Sequence, residues 1–346
     1  MPAPGRSSGA ATLAGMRFDS SLVVRSPAEL IAALPYVMGY HPHDSIALLG
    51  LRGPDLTFAA CLDLPPPGRD EVGAAEIGAR DIVDVIRRQS PEMMVIVGFG
   101  PAQRVTPVVL ALVEALRATG VRVHDVMRVC DGRWWSYLCE DPVCCPPDGR
   151  PCLPLDSVIA AEATYRGQVA LPSRAALAAQ LAAVDGPARV SMAAATERAR
   201  LRFRELVKGL AGKALAKRIR MTGRPVVREA EKRFRFGGVL SDDEVAWLGV
   251  LLTDRAVEDY ALDRTDGTEW RIQLWTDVLR RVEPVHVPTP ACLLGFTAWR
   301  LGRGALARVA VDRALAAEPG HDLAAMLHQI LGFGVPPGMI RRGLRK

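Results

Sequence analysis

The chain has 346 residues, 49% of them hydrophobic and 24% charged, with 31 Gly, 26 Pro and a mean hydropathy of +0.11. This composition excludes a wholly disordered or collagen-like chain, and the length accommodates two domains or one large domain with a helical extension. The net charge of +6 is concentrated in one place, because Arg198 to Arg235 holds 14 Lys or Arg against 3 Glu.

Residues 1–20 are rich in Gly, Ala and Ser without an apolar centre, and read as a flexible N-terminus. With no run of 18 apolar residues anywhere, neither a signal peptide nor a membrane span is expected, and the protein is expected in the cytoplasm. Ser26-Pro27-Ala28-Glu29 is a helix start: Ser26 can cap, Pro27 suits the first position, and Glu29 completes a capping box. Pro35 should bend or end that helix, and Gly39 can supply its left-handed stop. Ser45 to Leu51 and Leu56 to Leu62 predict two strands joined by the turn Arg52-Gly53-Pro54-Asp55. After Pro65-Pro66-Pro67-Gly68 comes an amphipathic helix with Ile77, Ile82, Val85 and Ile86 inward. Met93 to Val97 reads as a strand buried on both faces, followed by a helix from about Ala102 to Ala118. Asp131-Gly132, flanked by Met127–Cys130 and Arg133–Tyr137, is a strong hairpin signal.

Residues 21–155 are therefore expected to form an α/β domain of five or six strands, a mixed sheet layered with helices. From Asp156 the extended patterns give way to helical ones, with a basic helical connector over 156–240 and an α-helical domain over 241–340 opened by the capping box Ser241-Asp242-Asp243-Glu244. Gly295, Ala298, Gly302, Ala307, Val311, Ala314 and Pro319 fall at the spacings of a tetratricopeptide repeat, predicting a closing helical hairpin with small residues where its helices approach. One such unit cannot stack into a solenoid.

Three stretches carry candidate chemistry. In the first, Tyr40 and the loop His41-Pro42-His43-Asp44-Ser45 join a helix to a strand. Asp44 could orient His41 for proton transfer and Ser45 could donate to a phosphate or carboxylate, or the same residues could simply cap a rigid turn. Tyr40, with Trp135 and Tyr137 on the expected hairpin, is a candidate ligand-binding residue. The second stretch is Cys139, Cys144, Cys145 and Cys152, which could hold structural zinc as thiolates, act in redox chemistry, or be free thiols packing a Pro-stiffened loop. Their spacing lacks a Cys-x2-Cys knuckle, and Cys61, Cys130 and Cys292 read as small buried hydrophobes. The third is Gly98-Phe99-Gly100, which stands where a dinucleotide fold places its phosphate turn but lacks the third glycine. Arg exceeds Lys by 39 to 5, a skew that runs through helices and loops alike and is given no functional weight.

Taken together, Ser26-Pro27 through Leu34-Pro35-Tyr36, the run Gly39 to Ser45, Trp135-Ser136-Tyr137 with Cys139, Cys144-Cys145-Pro146-Pro147 and Gly149, and the closing Ala298-Trp299 to Pro319 stretch resemble an actinobacterial family, domain of unknown function 4192. The resemblance covers nearly the whole chain from Ser26 and implies an intracellular protein without an assigned activity. One departure is Glu258-Asp259, where the family pattern implies an Arg-Asp pair. With no complete catalytic set, the expectation is a non-catalytic binding or regulatory protein recognising a partner protein or small molecule in the cleft between its halves. The alternatives are an α/β-class enzyme using His41, Asp44 and Ser45 with the Cys139–Cys145 loop, and nucleic-acid association through 198–235.

Overall fold

The computed structural model describes residues 16–17, 23–66 and 82–339. The expected flexible N-terminus apart from Met16–Arg17, the end of the Pro65–Gly68 loop, and Ile77 of the expected amphipathic helix lie outside the described residues. The chain divides into two units, Met1–Arg174 and Ala175–Lys346.

In the first unit, Ser26 caps helix α1 (Pro27–Met38) by accepting from the Glu29 N–H at 3.2 Å, and Gly39 ends it with φ of 80°. Pro35 is carried inside α1, with only about one turn of helix left beyond it. The sheet has eight strands: β1 (Met16–Arg17), β2 (Val23–Val24), β3 (Ser45–Arg52), β4 (Asp55–Asp63), β5 (Met93–Phe99), β6 (Arg122–Cys130), β7 (Arg133–Ser136) and β8 (Arg150–Pro151). Their spatial order is β2-β1-β4-β3-β5-β6-β7-β8. The strands beyond the expected five or six are β1, β2 and β8, two residues each and too short to leave a period-2 pattern.

Helix α3 (Ala102–Arg117) makes the crossover between β5 and β6, which are parallel, whereas β3 is antiparallel to both β4 and β5. Strand alternation places Ile46, Leu48, Met94 and Ile96 on one face, where Val105, Val109 and Leu112 of α3 and Val83 and Ile86 of α2 (82–89) complete a core. The Asp131–Gly132 turn has φ of 48° and 73°, the left-handed pair a type I′ hairpin demands. Helix α4 (Val158–Tyr165) packs on α1. This register brings the start of β3 and the ends of β4, β5 and β6 to one sheet edge: Ser45 stands opposite Asp63 and Phe99, and Phe99 opposite Val129.

Helix α5 (Arg174–Gln180) begins at the division, and the second unit continues with α6 (Gly186–Val207), α7 (Gly212–Arg235), α8 (Asp242–Leu251), α9 (Arg255–Arg264), α10 (Glu269–Arg281), α11 (Pro288–Arg300), α12 (Gly304–Ala317) and α13 (Asp322–Gly332). The basic stretch Arg198 to Arg235 thus occupies the end of α6 and all of α7, and both are packed elements: α6 on α8, α7 on α9 and α10. Ile219, Gly223, Val227, Ala230 and Phe234 recur at helical spacing and are buried. A Cβ on Gly223 would lie 2.5 Å from Val257, so glycine there sets how closely α7 approaches α9. Glu231, 3% exposed, pairs with Arg264 at 2.7 Å and Arg271 at 3.1 Å, tying α7 to α9 and α10. Helices α11 and α12 form the closing hairpin, and a Cβ on Gly295 would meet Val311 at 2.8 Å and the Ala307 carbonyl oxygen at 3.3 Å. Among the described residues, no helix is long and apolar enough to cross a membrane.

Candidate metal centre

Between β7 and β8 the chain makes a loop with almost no apolar interior, and side chains from the two strands hold it by its carbonyls. Arg133 donates from Nε to the Asp148 oxygen at 2.6 Å and from Nη2 to the Gly149 oxygen at 2.9 Å. Arg150 donates to the carbonyls of Cys144 and, at 3.0 Å, Val143, while Trp135 Nε1 donates to Pro147 at 2.9 Å. The Trp135 ring is stacked by the Arg128 guanidinium at 3.7 Å and lies so close to Gly149 that a Cβ there would sit 2.5 Å away. Gly149 also has φ of 73°, a second reason the position takes glycine.

The loop gathers Cys139, Cys144 and Cys145, whose Sγ atoms all lie within 4.8 Å of one another, close enough to hold one metal ion. All three are half-buried. The Asp141 backbone N–H and the Cys145 thiol stabilise Cys139 as a thiolate and lower its pKa, whereas burial first, and then Cys139 itself, push Cys145 up to about 12. Of this pair Cys139 is the more readily ionised. Four-coordinate zinc with bonds of about 2.3 Å spaces its sulfurs about 3.8 Å apart, so a small contraction of the triad suffices.

Cys152 is not part of this group. Its backbone N–H donates to Gly132 at the start of β7, whereas Cys139 lies beyond the end of that strand. Four strand residues span about 13 Å, which separates the two positions and reduces the expected four-cysteine set to three.

At the other candidate, the Asp44 carboxylate is held by an arginine from α3. Asp44 adopts φ of 43°, and its Oδ2 pairs at 2.9 Å with Arg104, which also donates to the Pro65 carbonyl at 2.9 Å. The His41 backbone N–H is taken by Leu171 at 2.8 Å, and among the described residues no hydrogen bond joins His41 to Asp44. Burial and the neighbouring His43 lower the His41 pKa. Ser45 is 2% exposed and Tyr40 5%, with the Cys61 thiol against both hydroxyls, so neither hydroxyl is presented to solvent. Burial raises both the Tyr40 phenol and the Cys61 thiol. Two strands, β5 and β6, lie between β3 at this corner and β7, which leads into the cysteine loop: three steps of about 4.8 Å put β3 and β7 roughly 14 Å apart, so the two loops do not wall a common site.

The hairpin aromatics act as braces. Trp135 holds the cysteine loop, and the Tyr137 hydroxyl bonds Thr106 of α3 at 2.7 Å beside a cavity of about 330 Å³ lined by Leu110, Val113, Val126 and Leu138. In the second unit, Glu258 is 6% exposed, accepts from Thr289 Oγ1 at 3.2 Å and faces His321 Nε2 at 3.4 Å, so the acidic departure at this position is partnered inside the fold. Sequence reasoning missed Arg104, Arg133 and Arg150, because a global arginine excess hides the few that hold a site together.

A family model described as Domain of unknown function (DUF4192) matches residues 27–338, nearly the whole chain. No curated protein and no solved structure matches.

Proposed function

Because the chain belongs to the Domain of unknown function (DUF4192) family, whose description assigns no activity, we propose a function from the geometry of the chain itself: a non-catalytic binding protein whose cysteine loop holds one zinc ion through Cys139, Cys144 and Cys145. The observation that carries this reading is the convergence of three thiols on a loop whose carbonyls are already fixed by Arg133, Arg150 and Trp135. A pre-set loop lowers the ordering cost of ligation. Three protein ligands leave the fourth position of a tetrahedral ion open, and a donor atom from a partner protein or small molecule completes it. At the other corner Asp44 is engaged by Arg104 and the Cys61 thiol faces the Ser45 and Tyr40 hydroxyls, which favours the binding reading.

Titration of the reduced, metal-free protein with zinc against a chromophoric chelator tests this. One equivalent should bind, binding should fall at least tenfold in Cys139→Ser, Cys144→Ser and Cys145→Ser, and Cys152→Ser should match the parent. Each thiol must lose its proton to ligate, so affinity should drop as pH falls and binding should release protons. Zinc uptake that is indifferent to the three serine variants contradicts the assignment.

A further inference from the structure

The basic segment consists of two helices whose charges are used differently. On α6, Arg198 pairs with Asp243 at 2.6 Å, Arg200 with Glu197 at 2.6 Å, and Arg202 stacks on Trp247 at 4.2 Å. On α7 the acids are consumed internally, Glu231 by Arg264 and Arg271 and Glu229 by Arg233 at 3.9 Å. Lys213, Lys217, Arg220, Arg224, Arg228, Lys232 and Arg235 remain exposed, and among the described residues none of these seven has an ion-pair partner, although Arg224 lies over the Tyr260 ring at 5.1 Å. Steps of three or four residues place them in one row that flanks the buried stripe of Ile219, Gly223, Val227, Ala230 and Phe234, about a third of a turn away around the helix. From Lys213 to Arg235 the row is about 33 Å long, close to one turn of duplex DNA.

We propose that the outer face of α7 is a docking surface for the phosphate backbone of duplex nucleic acid. A straight row of cations, one per helical turn or closer, complements a polyanion with a negative charge every few ångströms. An anionic membrane fits less well, because an interfacial helix inserts its apolar face and that of α7 is already packed on α9 and α10. An acidic protein surface also fits less well, because Met221 is the one large apolar side chain exposed on α7, too little to form a centre from which water could be excluded. Recognition is of backbone rather than sequence, since α7 carries cations along its length without the Asn or Gln that read adenine edges beside them. This inference is independent of the cysteine loop.

The test is fluorescence anisotropy of a labelled 20-base-pair duplex with the full chain, across a series of salt concentrations. Binding at 50 mM salt is expected, with log affinity falling against log salt at a slope of about −4, the release expected for four to five phosphate contacts. Lys217→Glu/Arg228→Glu should weaken binding at least tenfold. Arg87→Glu/Arg122→Glu, which makes the same change in net charge on exposed positions of the first unit, should stay within twofold. Circular dichroism of both variants checks that each remains folded. No binding at 50 mM salt, a slope near zero, equal losses in the two variants, or capture by phosphatidylglycerol vesicles without capture of DNA would each overturn the proposal.

Discussion

Between β7 and β8 the chain is ordered by arginines and a tryptophan reaching backbone oxygens across a half-exposed loop, whereas in α11 every residue from Pro288 to Trp299 is buried. The loop gains a net of about 0.5–1.5 kcal/mol from each hydrogen bond, and its bonds mainly fix positions. The helical unit gains its stability from burial, and it even buries charges where partners are at hand. Changes in the helical unit should therefore be read in stability, and changes in the loop in ligand binding.

The sharpest break in that comparison is Glu231→Ala. It takes the partner of Arg264 away and leaves the buried Arg271 guanidinium with Asp266 as its remaining carboxylate, and urea denaturation should show a loss of about 3–4 kcal/mol, the lower part of the range for a broken buried pair. Zinc binding should be unchanged.

Next in size is an acid effect at His286, which is buried, has both ring nitrogens without a partner among the described residues, and is pushed down to about 4 by burial and, secondarily, by Arg200. The unfolded chain takes up a proton near pH 6.5 and the folded one only near pH 4. Stability is therefore fully present above the unfolded pKa and is lost as pH falls between these values, by about 3 kcal/mol at 1.36 kcal/mol per unit. His286→Leu should flatten the pH dependence in this window. An unchanged slope would place the acid sensitivity elsewhere.

The smallest effect on stability sharpens the contrast from the other side. Arg150→Ala removes two carbonyl contacts from an exposed position and should cost about 1 kcal/mol or less, yet lower zinc affinity about tenfold or more, as loss of a ligand's supporting shell does. Equal and large losses in both quantities would mean that the loop is as integral to the core as α11.

Much of this architecture is legible in the sequence because local chemistry and tertiary structure agree. Ser26-Pro27, Gly39, Asp131-Gly132 and the Ser241–Glu244 capping box act through backbone geometry that needs no distant partner. Two-residue strands leave no such trace, and neither do long-range side-chain contacts. Asp44 beside His41 in sequence suggests a pair, but Arg104, sixty residues on, claims the carboxylate once α3 crosses over the sheet. Four cysteines within fourteen residues suggest one cluster, but β7 and β8 carry Cys152 to the far end of the hairpin. Charges that look scattered when α6 and α7 are read together resolve into paired arginines on one helix and an unpaired row on the other.

The most direct test of the central claim is X-ray absorption at the zinc edge on the loaded full-length protein. The account predicts three sulfur neighbours at about 2.3 Å with a single lighter atom in the fourth position. A first shell of nitrogen and oxygen alone, or one of four sulfurs, would contradict it.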